Sequence, residues 1–337
     1  MGFAGRGGEP SYRGRPDSQI RRKLAGTVEE LDALLDRTAR TLEREPREVQ
    51  RISATLDELV ATLQTHKILG TEAEWREVVA RCRQHPVTKL LHEDPFTERA
   101  FAKPRGYPGD AELMDFIYDV EDGRPPPPAS PLGRVLFDHH IRAPASLGVR
   151  SRRAAVASHI DRIAEERPRP HVLSIAAGHL REASLSVAIR RRRTGRVVAL
   201  DSDARSLEEV RASYGGLGVE TQLASFRYLL AKDRYCEEFD FVYSTGLFDY
   251  LSLRSGRRLV AAMHRMLRPG GSLLVANFLP GVRDVGLMEA FMDWNLVYRS
   301  RHDMIDLTHD LPEGAIKNVT LWSEEALNII FLRVTRQ

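Results

Sequence analysis

Five short apolar runs, each followed by a helical or capped stretch, constrain this fold more than any other feature of the chain. They are "HVLSI" at 171–175, "RVVAL" at 196–200, "GVETQL" at 218–223, "FDFVYS" at 239–244 and "GSLLVANF" at 271–278. Strands that alternate with helices run parallel, because each crossover helix returns the chain to the same end of the sheet, and the helices then cover both faces. The last stretch, "VTLWSEEALNIIFLRVTRQ", breaks the alternation. It reads as two strands joined by a short turn, an antiparallel hairpin closing an otherwise parallel sheet.

Upstream the pattern is helical. Ile20, Leu24, Val28, Leu31, Leu34 and Leu35 recur at three-to-four spacing, followed by Ile52, Leu56, Leu59, Val60 and Leu63. A further helix follows Thr71, with Trp75, Val78 and Val79 on one face, and another runs from about Val149 to Glu165. Between them, Lys103 to Asp110 holds two prolines and two glycines, which excludes regular structure, and "GRPPPPASP" at 123–131 is a stiff, polyproline-like connection. The expected organisation is a disordered Gly/Arg/Pro-rich tail at 1–18, a helical N-terminal cap or substrate region at 19–130, and an α/β domain at 131–337.

Lys+Arg 50 against Asp+Glu 47 leaves a net charge of only +3, a poor footprint for a nucleic-acid partner. Cys82 and Cys236 form neither a disulfide framework nor a metal-spaced pair, which points to a reducing compartment, the cytoplasm, and to no metal site. The first residues lack the apolar core of a signal peptide, Arg6 stands where myristoylation wants Ser or Thr, and no apolar run is long enough to span a bilayer. The expected partner is a small molecule, with no nucleic acid and no membrane; a homodimer is left open.

In an open α/β sheet the ligand sits beyond the carboxyl ends of the strands, where strand order reverses. "VLSIAAGHLREASL" carries the first strand through such a turn into a helix, yet keeps only Gly178 where nucleotide-binding loops carry several glycines. Asp201 ends the second strand about two dozen residues later, the position from which a carboxylate accepts hydrogen bonds from both ribose hydroxyls. Both features imply adenosine. A pyrophosphate needs close backbone approach that Leu180 and Arg181 would crowd, whereas S-adenosylmethionine has no phosphate. Its methionine carboxylate and ammonium need polar partners, and Ser174, Glu182 and the Ser244-Thr245-Gly246 turn are placed to supply them. An NAD-dependent oxidoreductase and a non-catalytic adenosyl-binding regulatory module remain the alternatives.

"VLSIAAGHLRE", "VVALDSDA", "FDFVYSTGLFDYL" and "MLRPGGSLLVANF" resemble the cofactor loop, ribose acid, fourth strand and pre-fifth-strand turn of class I S-adenosylmethionine-dependent methyltransferases. The likeness covers roughly residues 170–337, with Ser174 replacing an acid and Ala176 a glycine. It implies a Rossmann-like sheet and a cofactor site that also includes Ala176, Ser202, Ser225 and Phe226. "DPFTERAFAKPRGYPGDAELMDFIY", "STGLFDYL" and "MDWNLVYRS" further resemble bacterial methyltransferases related to the enzyme that makes 3-hydroxy fatty acid methyl ester signals, the extracellular-factor subfamily. That narrower likeness implies O-methylation of a carboxylic acid or another secondary metabolite, with the helical N-terminal region covering the acceptor.

A carboxylate acceptor needs no general base, whereas an alcohol, phenol or protonated amine does. His139 and His140, between the helical region and the sheet, are the candidate bases, with a helix-end pairing to Asp138 as the structural alternative. Tyr250 is placed for a catalytic role and Asp249 beside it for acceptor binding, while Asn277, Trp294 and Tyr298 either line the acceptor pocket or simply pack. Arg105 and Tyr107 form a candidate lid over the cofactor, unless their turn is purely architectural. Arg152 and Arg153 carry the same ambiguity, and the arginines at 190–193 read as a solvated helix end. No Asp/Asn-Pro-Pro-aromatic or Pro-Cys motif is present, which disfavours methylation of nucleic-acid bases.

Overall fold

The computed structural model describes residues 27–230 and 234–337, so the tail expected at 1–18 lies outside the described residues. The helical region begins with α1 (Val28–Arg44), whose entry is fixed by a reciprocal cap between Thr27 and Glu30 and whose stripe of Leu31, Leu34, Leu35 and Leu42 is buried. There follow α2 (Val49–Leu69), α3 (Glu72–Gln84), α4 (Val87–Leu91), α5 (Pro95–Ala102), α6 (Ala111–Asp122), α7 (Pro131–Ile141) and α8 (Pro144–Glu166). Aspartates cap α5 and α6: Asp94 accepts from the amides of Phe96 and Thr97, and Asp110 from that of Leu113. Residues 103–110 carry no helix or strand, as two prolines and two glycines require.

The sheet comprises β1 (His171–Ile175), β2 (Arg196–Asp201), β3 (Val219–Leu223), β4 (Phe239–Ser244), β5 (Leu267–Phe278), β6 (Ile316–Ser323) and β7 (Ile329–Arg336), in the order β3-β2-β1-β4-β5-β7-β6. The first five are parallel, and β7 runs antiparallel to both β5 and β6. The expected terminal hairpin is therefore present, and its second strand inserts beside β5. Strand order reverses between β1 and β4, which fixes where a ligand site can open.

Two local features depart from the sequence pattern. β5 starts at Leu267, with Pro269, Gly270 and Gly271 absorbed in a register shift against β4. The helix after β1 is broken into α9 (Glu182–Leu185) and α10 (Val187–Arg190). At the break, Asp161 of α8 accepts from the Ser186 hydroxyl and from the amides of Val187 and Ala188, so a side chain takes over the hydrogen bonds that would continue the helix.

One face of the sheet shares a core with the helical region: Val172, Phe241, Tyr243 and Phe331 pack in the same cluster as Leu31, Leu56, Trp75 and Leu136. Ile117 and Leu132, on either side of the proline run, belong to that cluster too, so the run joins two helices of one core. The opposite face, with Leu173, Val242 and Ile330, is covered by α11 (Leu253–Met266) through Leu259 and Met263.

Candidate active site

The loop after β1 answers the question raised by its missing glycines. Ala176, Gly178 and Leu180 all have left-handed backbone, with φ of 54°, 53° and 51°. The chain thus keeps the backbone path that glycine adopts freely while carrying side chains at two of the three positions, at about 1–2 kcal/mol of strain each. Such strain persists only where the surroundings over-determine it. Here the Ala177 amide donates to Leu200 O (3.1 Å) and the Gly178 amide to Asp201 Oδ2 (2.8 Å), tying the loop to β2. From the other side, Asp115 of α6 takes both arms of the Arg181 guanidinium (2.8 and 2.6 Å) and His179 Nδ1 (2.8 Å). Arg153 Nε adds a bond to Arg181 O (3.1 Å), and the Leu180 side chain is buried in the core.

A cavity of about 490 Å³ opens at this loop, beyond the carboxyl ends of β1, β2 and β4. It brings together Ser174, Ala176, Gly178, Glu182, Asp201, Ser202, Ser225 and Phe226 with Thr245, Gly246, Asp249, Tyr250, Tyr107 and Trp294. Asp201 keeps its carboxylate oriented by accepting from Gly178 N and Asp203 N (2.9 Å), and burial pushes its pKa up. Glu182 turns inward to receive the Tyr243 hydroxyl (2.6 Å), and burial pushes its carboxyl up despite that bond.

Segment 103–110 covers one side of the cavity and is fastened at three points. Tyr250 Oη donates to Pro108 O (2.9 Å) and accepts from Trp294 Nε1 (2.9 Å). Arg105 reaches Asp203 Oδ2 (2.6 Å) and Ser206, and Lys103 pairs with Asp293. Gly109, at φ 70°, is required there, since a Cβ would overlap the Trp294 ring. Burial would raise the Asp203 carboxyl, but the bonds from Ser206 and Arg105 outweigh it and hold the pKa low.

Arg152 of α8 enters the cavity wall almost wholly buried, 3.6 Å from Asp249 Oδ2, an ion pair too long for a good hydrogen bond. Burial pushes the Asp249 carboxyl up to about 6, against the pull of Arg152, the Phe278 amide and Arg299. Burial also raises the phenols of Tyr107, Tyr118 and Tyr250, which keeps them protonated and leaves no phenolate to act as a base.

The other sequence candidates lie outside this cavity. Arg105 latches the covering segment, and Ser244 Oγ donates to Ile175 O, joining β4 to β1. Asn277 is buried, with its amide on Phe278 O and Val297 O and its carbonyl on Arg299. Tyr298 packs against the core of the sheet's cap-side face. His139 and His140 line a smaller neighbouring cavity; His140 pairs with Asp94 (2.7 Å), and burial together with His140 pushes His139 down to about 4. Sequence reasoning did not single out Asp115, Tyr118, Met114 or Val149, all of which line the main cavity. The acid of Asp115 inside the apolar run "LMDFIY" was the available signal.

Residues 172–271 match the family model of a methyltransferase domain. No curated protein matches the sequence. Among solved structures, a possible exported protein from Bordetella parapertussis is 17% identical, with 90% of this chain and 96% of that one covered and a TM-score of 0.55, so the fold is shared with the helical region included. Magnesium protoporphyrin IX methyltransferase from Synechocystis PCC 6803 is 11% identical, with 66% and 93% covered and a TM-score of 0.45. N-methyltransferase NodS from Bradyrhizobium japonicum WM9 is 13% identical, with 55% and 97% covered and a TM-score of 0.39. Among the described residues no helix is long and apolar enough to cross a membrane. Residues 172–271 thus carry a methyltransferase domain, and the cavity opens at the carboxyl ends of its strands.

Proposed function

We propose that the protein methylates an oxygen of a small carboxylic acid or related secondary metabolite, with the helices before residue 130 covering the acceptor. The observation that carries this reading is Arg152, a buried guanidinium on the cavity wall whose nearest carboxylate stands 3.6 Å away and is raised by burial to about 6. That ion pair is too long for a good hydrogen bond, and a planar carboxylate is the group an arginine fork matches at shorter range.

The residues around the cavity suit the cofactor: Ala176 and Gly178 line it with little side chain to obstruct approach, Asp201 offers carboxylate lone pairs, and Tyr107 lines its edge. When bound, S-adenosylmethionine supplies a methyl carbon made electrophilic by its sulfonium. The chain's own part is then to hold, align and dehydrate. Asp201, Ser202 and the Ala176–Gly178 backbone hold the nucleoside, and Arg152 aligns the acceptor oxygen. The segment 103–110, fastened by Tyr250 and Arg105, keeps water out. A carboxylate has no proton to lose, in keeping with cavity phenols that burial keeps protonated. The two free cysteines, Cys82 buried and Cys236 exposed, support a reducing cytoplasmic setting.

The likeness to the 3-hydroxy fatty acid methyl ester subfamily sets the first acids to try. The protein is incubated with S-adenosylmethionine and a panel of aliphatic, hydroxylated and aromatic acids, and methyl esters are sought by mass spectrometry. Ester formation that Arg152→Ala abolishes while cofactor affinity survives supports the reading. Transfer to amines or alcohols with no ester from any acid would overturn it.

A further inference from the structure

Behind a wall that it shares with the main cavity, formed by Val149, Phe278 and Trp294, lies a second cavity of about 30 Å³. Much of its lining is carbon, from Phe96, Ile117, Leu287 and Met288 among others. Its polar lining includes Ser146, which donates to His140 O (2.9 Å), and Asp284, which accepts from the Ala145 amide (2.7 Å). His140 is different: its Nε2 is buried and has no hydrogen-bond partner. The ring is only 4% exposed.

Asp94 decides what that nitrogen presents. It is fully buried and receives the amides of Phe96 (3.0 Å) and Thr97 (3.1 Å), the Thr97 hydroxyl (2.7 Å) and His140 Nδ1 (2.7 Å). An oxygen of that carboxylate accepts, so Nδ1 carries a proton, and in the Nδ1–H tautomer the lone pair sits on Nε2. The ring is thus held through Nδ1, and Nε2 is left buried and without a partner in a residue that lines a cavity next to the main one. Native proteins leave few buried polar groups without a partner, and each one calls for an explanation.

Resting on the function proposed above, we propose that this cavity is a specificity subsite and that His140 receives a hydrogen bond from a donor on the acceptor, a hydroxyl or an amine. The cavity has about two to three times the space a single water requires, enough for a short substituent that reaches past Trp294. A site built around such a bond rejects analogues lacking the donor far more strongly than an apolar pocket rejects a missing methylene. His140 is then a positioning residue held by Asp94, separate from the anchoring role of Arg152.

The test needs no knowledge of the acceptor. Protein labelled with ¹⁵N at histidine and saturated with S-adenosylhomocysteine is titrated with ethanol, which donates a hydrogen bond, and with acetonitrile, of similar size, which only accepts. The His140 Nε2 resonance, identified by its loss in His140→Gln, is expected to move with ethanol and to stay with acetonitrile. Asp94→Asn, which no longer dictates the tautomer, is expected to weaken that selectivity at least threefold; should this variant not fold, the two probes on the native protein decide alone. Equal shifts with both probes would mean apolar filling only, and no shift with either would mean a closed or water-filled void; both outcomes overturn the proposal. An ethanol-selective response from a protein that esterifies no acid would instead remove the carboxylate reading and leave the His140 subsite standing.

Discussion

Replacing Ala176 by glycine should do the reverse of what glycine usually does. Ala→Gly ordinarily destabilises because the unfolded chain gains freedom, by about 0.4–1 kcal/mol. At Ala176 the native φ is 54°, so the same change also releases the αL strain, about 1–2 kcal/mol. The neighbouring Ala177, absent from the positive-φ residues, supplies the control, because its glycine variant has the same unfolded-state effect and no strain to release. The unfolded-state term cancels between the two variants, and Ala177→Gly also loses a methyl packed on the core, so Ala176→Gly should be the more stable by at least about 1–2 kcal/mol. Equilibrium urea unfolding of both variants beside the native protein measures the difference, provided the slopes agree. Equal midpoints, or a less stable Ala176→Gly, would refute the view that this loop stores strain. A parallel calorimetric titration with S-adenosylmethionine shows whether the strain also pre-shapes the site: the relaxed loop should bind more weakly.

Other predictions follow from the same geometry. Asp201→Ala removes the ribose acceptor and the anchor of the Gly178 amide; two charge-assisted bonds at about 1.5–3 kcal/mol each imply at least a hundredfold loss of cofactor affinity, and unchanged binding by calorimetry would count against the site. Asp115→Asn strips a buried arginine and histidine of their shared carboxylate, but Glu209 still holds Arg181 at 2.9 Å, so a loss of stability near 3 kcal/mol is expected on thermal unfolding, together with weakened cofactor binding. Tyr250→Phe unfastens Pro108 and leaves Trp294 Nε1 without its partner, so turnover should fall more than cofactor affinity; undiminished turnover would make the residue a packing element. The Asp249 carboxyl, raised to about 6, is neutral below that pH and negative above it. An anionic acceptor, ionised above about pH 5, should therefore bind best between about 5 and 6 and weaken as pH rises through 6, and Asp249→Asn should flatten the upper limb.

What the sequence made legible follows a physical divide. The sheet was readable because apolar runs of strand length, Asp201 at a strand end and the terminal hairpin are local signals, and the cofactor loop follows directly from β1. The cap side of the cavity was much less readable. Asp115, Tyr118 and Arg152 meet the loop only because α6 and α8 fold across it, and no spacing in the sequence encodes a contact made 66 residues apart, as between Asp115 and Arg181. His139 and His140 show the same limit from the other side. Their position between helices and sheet was legible, but the partner of His140 is a cap residue of α5, 46 residues earlier, and the wall between the two cavities comes from α8, β5 and the loop at Trp294.

The glycine-poor loop and the helical cap are one solution rather than two peculiarities. A loop with several glycines can adopt its left-handed turns unaided, and a cofactor can then bind to the sheet domain alone. Here two of those turns carry side chains, so their backbone is stable only while Asp115 and Arg153 hold Arg181 and His179 from above. Asp115 stands on the helix that begins directly after segment 103–110, and that segment is fastened in turn to Asp203, two residues beyond Asp201. On the function proposed above, displacing the cap would therefore relax the loop as well as uncover the acceptor, which would couple the two sites through a contiguous set of buried ionic contacts.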